Sequence, residues 1–134
     1  MSPMELQGLL EVSLYYDESH AEAVHELYER TLGLRRVARW SDGTALRLGS
    51  AVVLIFCRQR LAERDEPISA HGSHGPGHVC FTVSDGAYED WRQRIDEGPG
   101  VEHEQEWPNR GRSFYFRDPA GNLLEIAEGD LWPR

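Results

Sequence analysis

The chain has 134 residues, one domain's worth, and a net charge of −9 in which all 14 basic residues are arginine. Without lysine or a basic run, Schiff-base chemistry is excluded, and nucleic acid and anionic membrane are poor candidate partners. The opening Met-Ser-Pro-Met-Glu-Leu-Gln lacks the regions of a signal peptide and no apolar run approaches the ~18 residues of a spanning helix, so the expected location is the cytoplasm.

In chain order, residues 9–16 alternate apolar positions with Glu11 and Ser13, which predicts a strand with Val12, Leu14 and Tyr16 on its core face. Ser19-His20-Ala21-Glu22 has the capping-box form. Ala23, Leu27, Tyr28 and Leu32 follow at helical spacing until Gly33. Residues 35–40, 44–48 and 51–57 read as three short strands separated by Ser41-Asp42-Gly43 and Gly49-Ser50. Residues 8–57 thus form a βαβββ module. From 58 to 76 the sequence is charged, then rich in Gly, His and Pro, and reads as a linker or surface loop in which His71 and His74 are candidate proton donors.

The same order then returns in residues 77–128. A strand over 78–83 precedes a helix over 86–97, with Tyr88, Trp91 and Ile95 on one face and Gly98-Pro99-Gly100 as its stop. Residues 101–107 form a third element. The aromatic-rich run 112–117, the turn Asp118-Pro119-Ala120-Gly121 and the apolar run 122–127 read as a hairpin, Pro119 presetting φ and Gly121 supplying a positive φ.

Superimposing the halves places Glu11-Val12-Ser13-Leu14 on His78-Val79-Cys80-Phe81, and Val52 to Ile55 on Leu123 to Ile126. Glu11 and His78 hold the same position of a first strand. Glu125 holds the last-strand position whose counterpart is Leu54. Val12, Leu14, Val79, Phe81, Leu124 and Ile126 are needed to bury the helices, so Glu11, His78 and Glu125 point the other way, onto the floor of a curved trough. For Glu125 alone the plainer reading is a strand glutamate facing water. Two carboxylates on one floor repel unless a cation or an arginine lies between them. Alternation also turns Ser113 and Tyr115 toward Glu125, and Ser13 toward Glu11, while Arg47 and Arg117 are candidates for positive charge nearby. Cys57 and Cys80 read as buried, reduced thiols, and the four tryptophans as core or interface aromatics.

The chain resembles the vicinal oxygen chelate superfamily, in its glyoxalase-like branch. The residues that carry the likeness are Tyr28 with Leu32-Gly33-Leu34, Gly77-His78-Val79, and Phe116-Arg117-Asp118-Pro119-Ala120-Gly121-Asn122 before Leu124-Glu125. The superfamily includes glyoxalases, bleomycin resistance proteins, fosfomycin-modifying enzymes and extradiol dioxygenases. The resemblance implies an α+β fold of two βαβββ modules whose curved mixed sheet encloses one divalent metal ion (Mn, Ni, Zn, Fe, Co or Mg). Its ligand positions fall on Glu11, Leu54, His78 and Glu125. Glu11 stands where many members have histidine, and Leu54 cannot ligate. The implied ligands are therefore Glu11, His78 and Glu125, with Glu125 or Glu11 as catalytic base and Ser13, Arg47, Ser113, Tyr115 and Arg117 as substrate contacts. A one-histidine, two-carboxylate set leaves positions open on the ion for a small substrate that chelates through neighbouring oxygens. The expected activity is isomerase, lyase or epoxide-opening transferase. A metal-free drug- or metabolite-binding protein and an extradiol-type dioxygenase are the alternatives. The resemblance also implies a homodimer, in which Glu11 and His78 of one site come from different subunits if modules are exchanged.

Overall fold

A computed structural model of the protein describes residues 4–64 and 69–133. Two four-stranded sheets carry the fold. The first contains β1 (Glu11–Tyr16), β2 (Arg35–Arg39), β3 (Gly43–Leu48) and β4 (Ala51–Cys57), in the order β1-β4-β3-β2. The second contains β5 (His78–Thr82), β6 (His103–Glu106), β7 (Arg112–Arg117) and β8 (Leu123–Glu128), in the order β5-β8-β7-β6. In each sheet the first and last strands pair in parallel and the others antiparallel. A parallel pair needs a crossover, which the helix after each first strand supplies. Glu11 sits opposite Val52 and His78 opposite Leu123, Ser13 opposite Leu54 and Cys80 opposite Glu125, so the duplication holds at single-residue register.

The first helix departs from its expected form. It starts as a 3-10 turn (Glu18–His20), becomes α1 (Ala21–His25) and ends in a π-helical turn (Glu26–Thr31). No capping box forms, because Ser19 lies within the 3-10 turn and the residue before it, Asp17, directs its carboxylate to Arg58 and Gln59 at 3.1 and 3.3 Å. The inward face is otherwise as expected, with Leu27, Tyr28 and Leu32 buried, but Val24 takes the place of Ala23, which is exposed. Helix α2 (Arg58–Ala62) occupies the start of the stretch read as linker and buries Leu61. Its five residues are too few to print a period. Helix α3 (Tyr88–Glu97) ends at Gly98 as expected, with Tyr88 and Ile95 buried.

One core joins the two modules. Leu14, Val24, Tyr28, Leu46, Val53 and Ile55 from the first half cluster with Tyr88, Ile95, Phe114, Phe116, Leu124 and Ile126 from the second. Burying each such side chain is worth about 1.5–3 kcal/mol. Polar groups weld the same junction. The Tyr28 hydroxyl donates to Asp118 Oδ2 at 2.8 Å, and Asn122 Nδ2 donates both to Asp118 Oδ2 (2.9 Å) and to the carbonyl of Tyr15 (3.0 Å). Asp118 Oδ1 takes the backbone N–H groups of Ala120 and Asn122, and Asn122 Oδ1 takes that of Gly77. The hairpin turn forms as the sequence demands, with Gly121 N–H on the Asp118 carbonyl at 3.0 Å and Gly121 at φ 90°. Among the described residues no helix is long and apolar enough to cross a membrane.

Candidate metal and substrate site

With one face of each sheet committed to the core, alternation turns the other face outward. On the first sheet that face carries Glu11, Ser13 and Tyr15, then Val52, Leu54 and Phe56, then Ala45 and Arg47. On the second it carries His78, Cys80 and Thr82, then Leu123, Glu125 and Ala127, then Ser113, Tyr115 and Arg117.

His78 and Glu125 meet. His78 Nε2 lies 3.2 Å from Glu125 Oε1, and His78 Nδ1 lies 2.8 Å from the carbonyl of Leu123. A carbonyl oxygen only accepts, so Nδ1 carries the hydrogen and the ring is held with Nε2 aimed at the carboxylate. In the neutral ring Nε2 is a lone pair facing another lone pair. Such a contact is stable only with a cation, or a proton, shared between the two atoms. Glu125 is 4% exposed, which removes the reading of a strand glutamate in water. Among the described residues its Oε2 is buried without a hydrogen-bond partner. A buried carboxylate oxygen left bare costs about 1–3 kcal/mol or more, a cost a bound cation would offset.

The residues around this pair have definite tasks. Tyr115 lies opposite Glu125 in the register, and its ring stacks on His78 (centroids 6.2 Å apart) and against His103 (5.9 Å). Burial first, and then the Glu125 carboxylate, raise the Tyr115 hydroxyl above its ordinary pKa, Ser113 acting in the opposite sense, so it stays a neutral donor. Ser113 is fully buried and its Oγ accepts the indole N–H of Trp107 at 2.9 Å, so it is not open to a substrate. Arg117 bonds Glu102 (3.2 Å) and the Gly121 carbonyl (3.1 Å). Cys80 is exposed rather than a buried filler: β5 is the edge strand of its sheet, and among the described residues no further strand pairs with it there. Desolvation of its sulfur, followed by the adjacent Glu125, pushes the thiol up to about 12, so it is a thiol and not a thiolate at neutral pH.

The first sheet supplies the remaining candidates. Glu11 is exposed on β1, with Arg47 in the same cross-strand row through Val52, and Ser13 is half-buried one row along. Among the described residues no three His, Cys, Asp or Glu side chains of one chain converge on a common point. The chain thus assembles His78 with Glu125 and presents Glu11 on its other sheet. Two further histidines border this face, one of them the loop residue His71 named from the sequence and the other, His103, missed there. The loop histidine His71 meets the Tyr15 hydroxyl at 2.5 Å and packs edge-on against Phe56 (5.0 Å), and His103 extends the aromatic row beside Tyr115. The β6 alternation could have pointed to His103, whereas the loop sequence that offered His71 as a proton donor does not show its partner Tyr15.

The residue types fit a divalent ion: a tautomer-fixed imidazole, a buried carboxylate with a bare oxygen, and a 3.2 Å separation close to that of neighbouring ligands on one ion.

Comparison with known proteins gives the lineage. The profile of the Glyoxalase/Bleomycin resistance protein/Dioxygenase superfamily matches residues 18–126. Glutathione transferase FosA from Serratia marcescens is 33% identical over 113 residues, which cover 82% of this chain and 71% of that protein. The crystal structure of lactoylglutathione lyase from Agrobacterium tumefaciens superimposes with a TM-score of 0.87 at 35% identity, over 96% of this chain and 98% of that one. The fosfomycin resistance protein FosX from Mesorhizobium loti shares the fold, with a TM-score of 0.66 at 21% identity over 95% of this chain and 96% of that one.

Proposed function

The chain belongs to the Glyoxalase/Bleomycin resistance protein/Dioxygenase superfamily, and from that membership we propose that it is a divalent-metal-dependent, glyoxalase-like enzyme acting on a small substrate through two neighbouring oxygens. The observation that carries this reading is the His78–Glu125 pair, two acceptors 3.2 Å apart with the second carboxylate oxygen buried and bare. His78 Nε2 and Glu125 hold the ion from one sheet, and Glu11, presented on the other sheet, completes the set from a second copy of the chain in a homodimer. A divalent ion would supply Lewis-acid polarisation of the two substrate oxygens.

The chain's own groups do the rest. Glu125 is the base, with Glu11 as its alternate: a buried carboxylate beside the reacting atoms takes a proton from carbon or from an attacking thiol. Tyr115, kept neutral, donates its hydroxyl to a substrate oxygen. The Leu123 carbonyl holds the imidazole so that proton transfer does not reorient the site. Ser13 and Arg47 line the approach on the first sheet, with Arg47 able to meet an anionic group. Ser113 and Arg117 act through their neighbours, Ser113 by seating Trp107 and Tyr115, Arg117 by bracing the hairpin turn.

The two relatives described above at more than 30% identity carry glutathione in their names. Lyase chemistry on lactoylglutathione, and thiol addition from glutathione to fosfomycin, are therefore the first two reactions to assay. The decisive test of the metal reading is elemental analysis of protein purified without chelator, compared with His78→Ala and Glu125→Ala. Metal bound near stoichiometry in the parent and lost in both variants is expected. Equal metal content in all three removes the proposal, and a metal-poor parent that still binds an apolar drug points to a binding protein instead.

A further inference from the structure

The back of the first sheet, on the side away from Glu11, carries a cleft of about 660 Å³ between α1 and the β2–β3 pair. That volume lies in the range that takes a small molecule. Its floor is Tyr16, which is buried and packs edge-on against His25 with ring centroids 5.6 Å apart. His25 is a fixed wall, its Nδ1 on the Ala21 carbonyl (2.8 Å) and its Nε2 on the Thr44 hydroxyl (2.7 Å). The Tyr16 hydroxyl makes no hydrogen bond among the described residues, although it lies at the cleft.

A β-bulge builds the polar side. Arg36 pairs with Leu46 and Ala38 with Ala45, so Val37 is skipped in the register. In a regular strand Arg36 and Arg39, three apart, would face opposite ways. The skipped residue brings both to the helix side, opposite Leu46 and Thr44, and both line the cleft. Their charges are not equally committed. Arg36 is tied to Glu29 at 2.7 Å, and Arg60 across the cleft to Glu18 at 2.8 Å. Arg39 makes no hydrogen bond or ion pair among the described residues. Beside it Trp40 is 49% exposed, although the neighbouring backbone is pinned by its own N–H on the Gly43 carbonyl at 2.7 Å. The lining holds three guanidiniums (Arg36, Arg39, Arg60) against two carboxylates (Glu18, Glu22).

An uncommitted guanidinium, an exposed indole face and an unpaired phenol on the floor are complementary to a flat ring bearing a negative charge. We propose that this cleft is a second ligand site, for a planar aromatic carboxylate whose ring lies against Trp40 and Tyr16 and whose carboxylate is held by Arg39. The site is separate from the candidate metal site, because Tyr16 and Cys57 face the helix side of the sheet whereas Tyr15 and Phe56 face the other.

The probe is 2-naphthoate, titrated into the full-length protein by calorimetry and by amide chemical shifts, with neutral 2-naphthamide as the uncharged control. Saturable binding of 2-naphthoate is expected, weakened about tenfold or more by Arg39→Ala, by Trp40→Ala and by loss of the ligand's charge, and largely restored in Arg39→Lys. His78→Ala is expected to bind it as the parent does. Absence of saturation up to about 10 mM, well above the ~1 mM that marks weak binding, overturns the proposal. So does a change under about threefold in Arg39→Ala, or loss of binding in His78→Ala, which would send the probe to the other face of the sheet.

Discussion

Glu125→Gln is expected to make the metal-free protein more stable and at the same time deaf to metal. In the parent, Oε1 faces the His78 Nε2 lone pair at 3.2 Å, and Oε2 is buried with no described residue in hydrogen-bonding geometry to it, although the Cys80 thiol and the Tyr115 hydroxyl lie close to the carboxylate. An unsatisfied buried polar atom costs about 1–3 kcal/mol, and more when it is charged. Glutamine keeps the volume, removes the charge and offers an amide N–H to the Nε2 acceptor, leaving one neutral carbonyl oxygen to find a partner. The net gain is about 1–2 kcal/mol, or a rise of roughly 3–6 °C in Tm for a domain of this size. With metal at about 100 times its Kd the parent gains ~2.7 kcal/mol, while the variant, having lost a ligand, gains nothing. The two melting temperatures should therefore exchange order between EDTA and metal-containing buffer. Differential scanning calorimetry of both proteins at pH 8, after EDTA treatment and again with added Mn, Ni or Zn, reads this directly. A metal-free variant less stable than the metal-free parent by more than about 1 kcal/mol would show that both carboxylate oxygens are already well paired, and the reasoning about the site would fall with it.

Four further outcomes are expected. Tyr28→Phe strips a buried hydrogen bond from Asp118 and should cost about 1–3 kcal/mol in urea unfolding, whereas Asp118→Ala leaves several donors bare and should cost about 3–5 kcal/mol. Gly43→Ala puts a methyl group 2.6 Å from Phe56 Cδ1 and 2.7 Å from the carbonyl of Ile55; the backbone oxygen cannot swing aside, so a lowered urea midpoint worth about 1–3 kcal/mol should follow. Hydrogen bonds from Arg58, and next from Gln59, hold the Asp17 carboxyl below its ordinary value of 3.8, so their contribution is complete above that pH and fades only as acid passes the lowered value. Because Arg58 also bonds the carbonyls of Ser73 and Gly75, the protection of the amides in residues 73–75, taken relative to their intrinsic exchange rates at each pH, should hold steady as pH falls from 6 to about 4 and drop only below that. Finally, if Glu11 serves the neighbouring chain's His78 and Glu125, mixed dimers of Glu11→Ala and His78→Ala chains regain one working site of two; a mixture that stays metal-free would place all ligands on one chain.

Periodicity and duplication were readable because they repeat. The strand positions of Glu11, Leu54, His78 and Glu125 align between the halves on sequence alone, and the strand register agrees with that alignment residue by residue. The hairpin turn at Asp118 to Gly121 was equally plain, since Pro119 and Gly121 each permit few alternatives. What escaped were features set by a partner elsewhere in the chain. Ser19 has a capping signature, yet Arg58 and Gln59 draw in the Asp17 carboxylate and the helix opens as a 3-10 turn. Arg58–Ala62 is too short to announce itself as a helix. Cys80 was misjudged because hydrophobic character is local, whereas exposure depends on which strand lies at the sheet margin. The skip at Val37 leaves no glycine as a marker, and so the common orientation of Arg36 and Arg39 could not be foreseen.

The duplicated strand order leaves each sheet with two unlike borders. One is guarded by charge, by Arg35, Arg36 and Arg39 on β2 and by Glu104 and Glu106 on β6, which discourages stray strands from adding on. The opposite borders, β1 and β5, bear a single acidic or basic side chain each, Glu11 and His78. Those two residues therefore answer to two selective demands at once, as donors for the proposed ion and as the gatekeepers that keep bare backbone from self-association, and a neutral replacement at either position gives up colloidal safety along with chemistry.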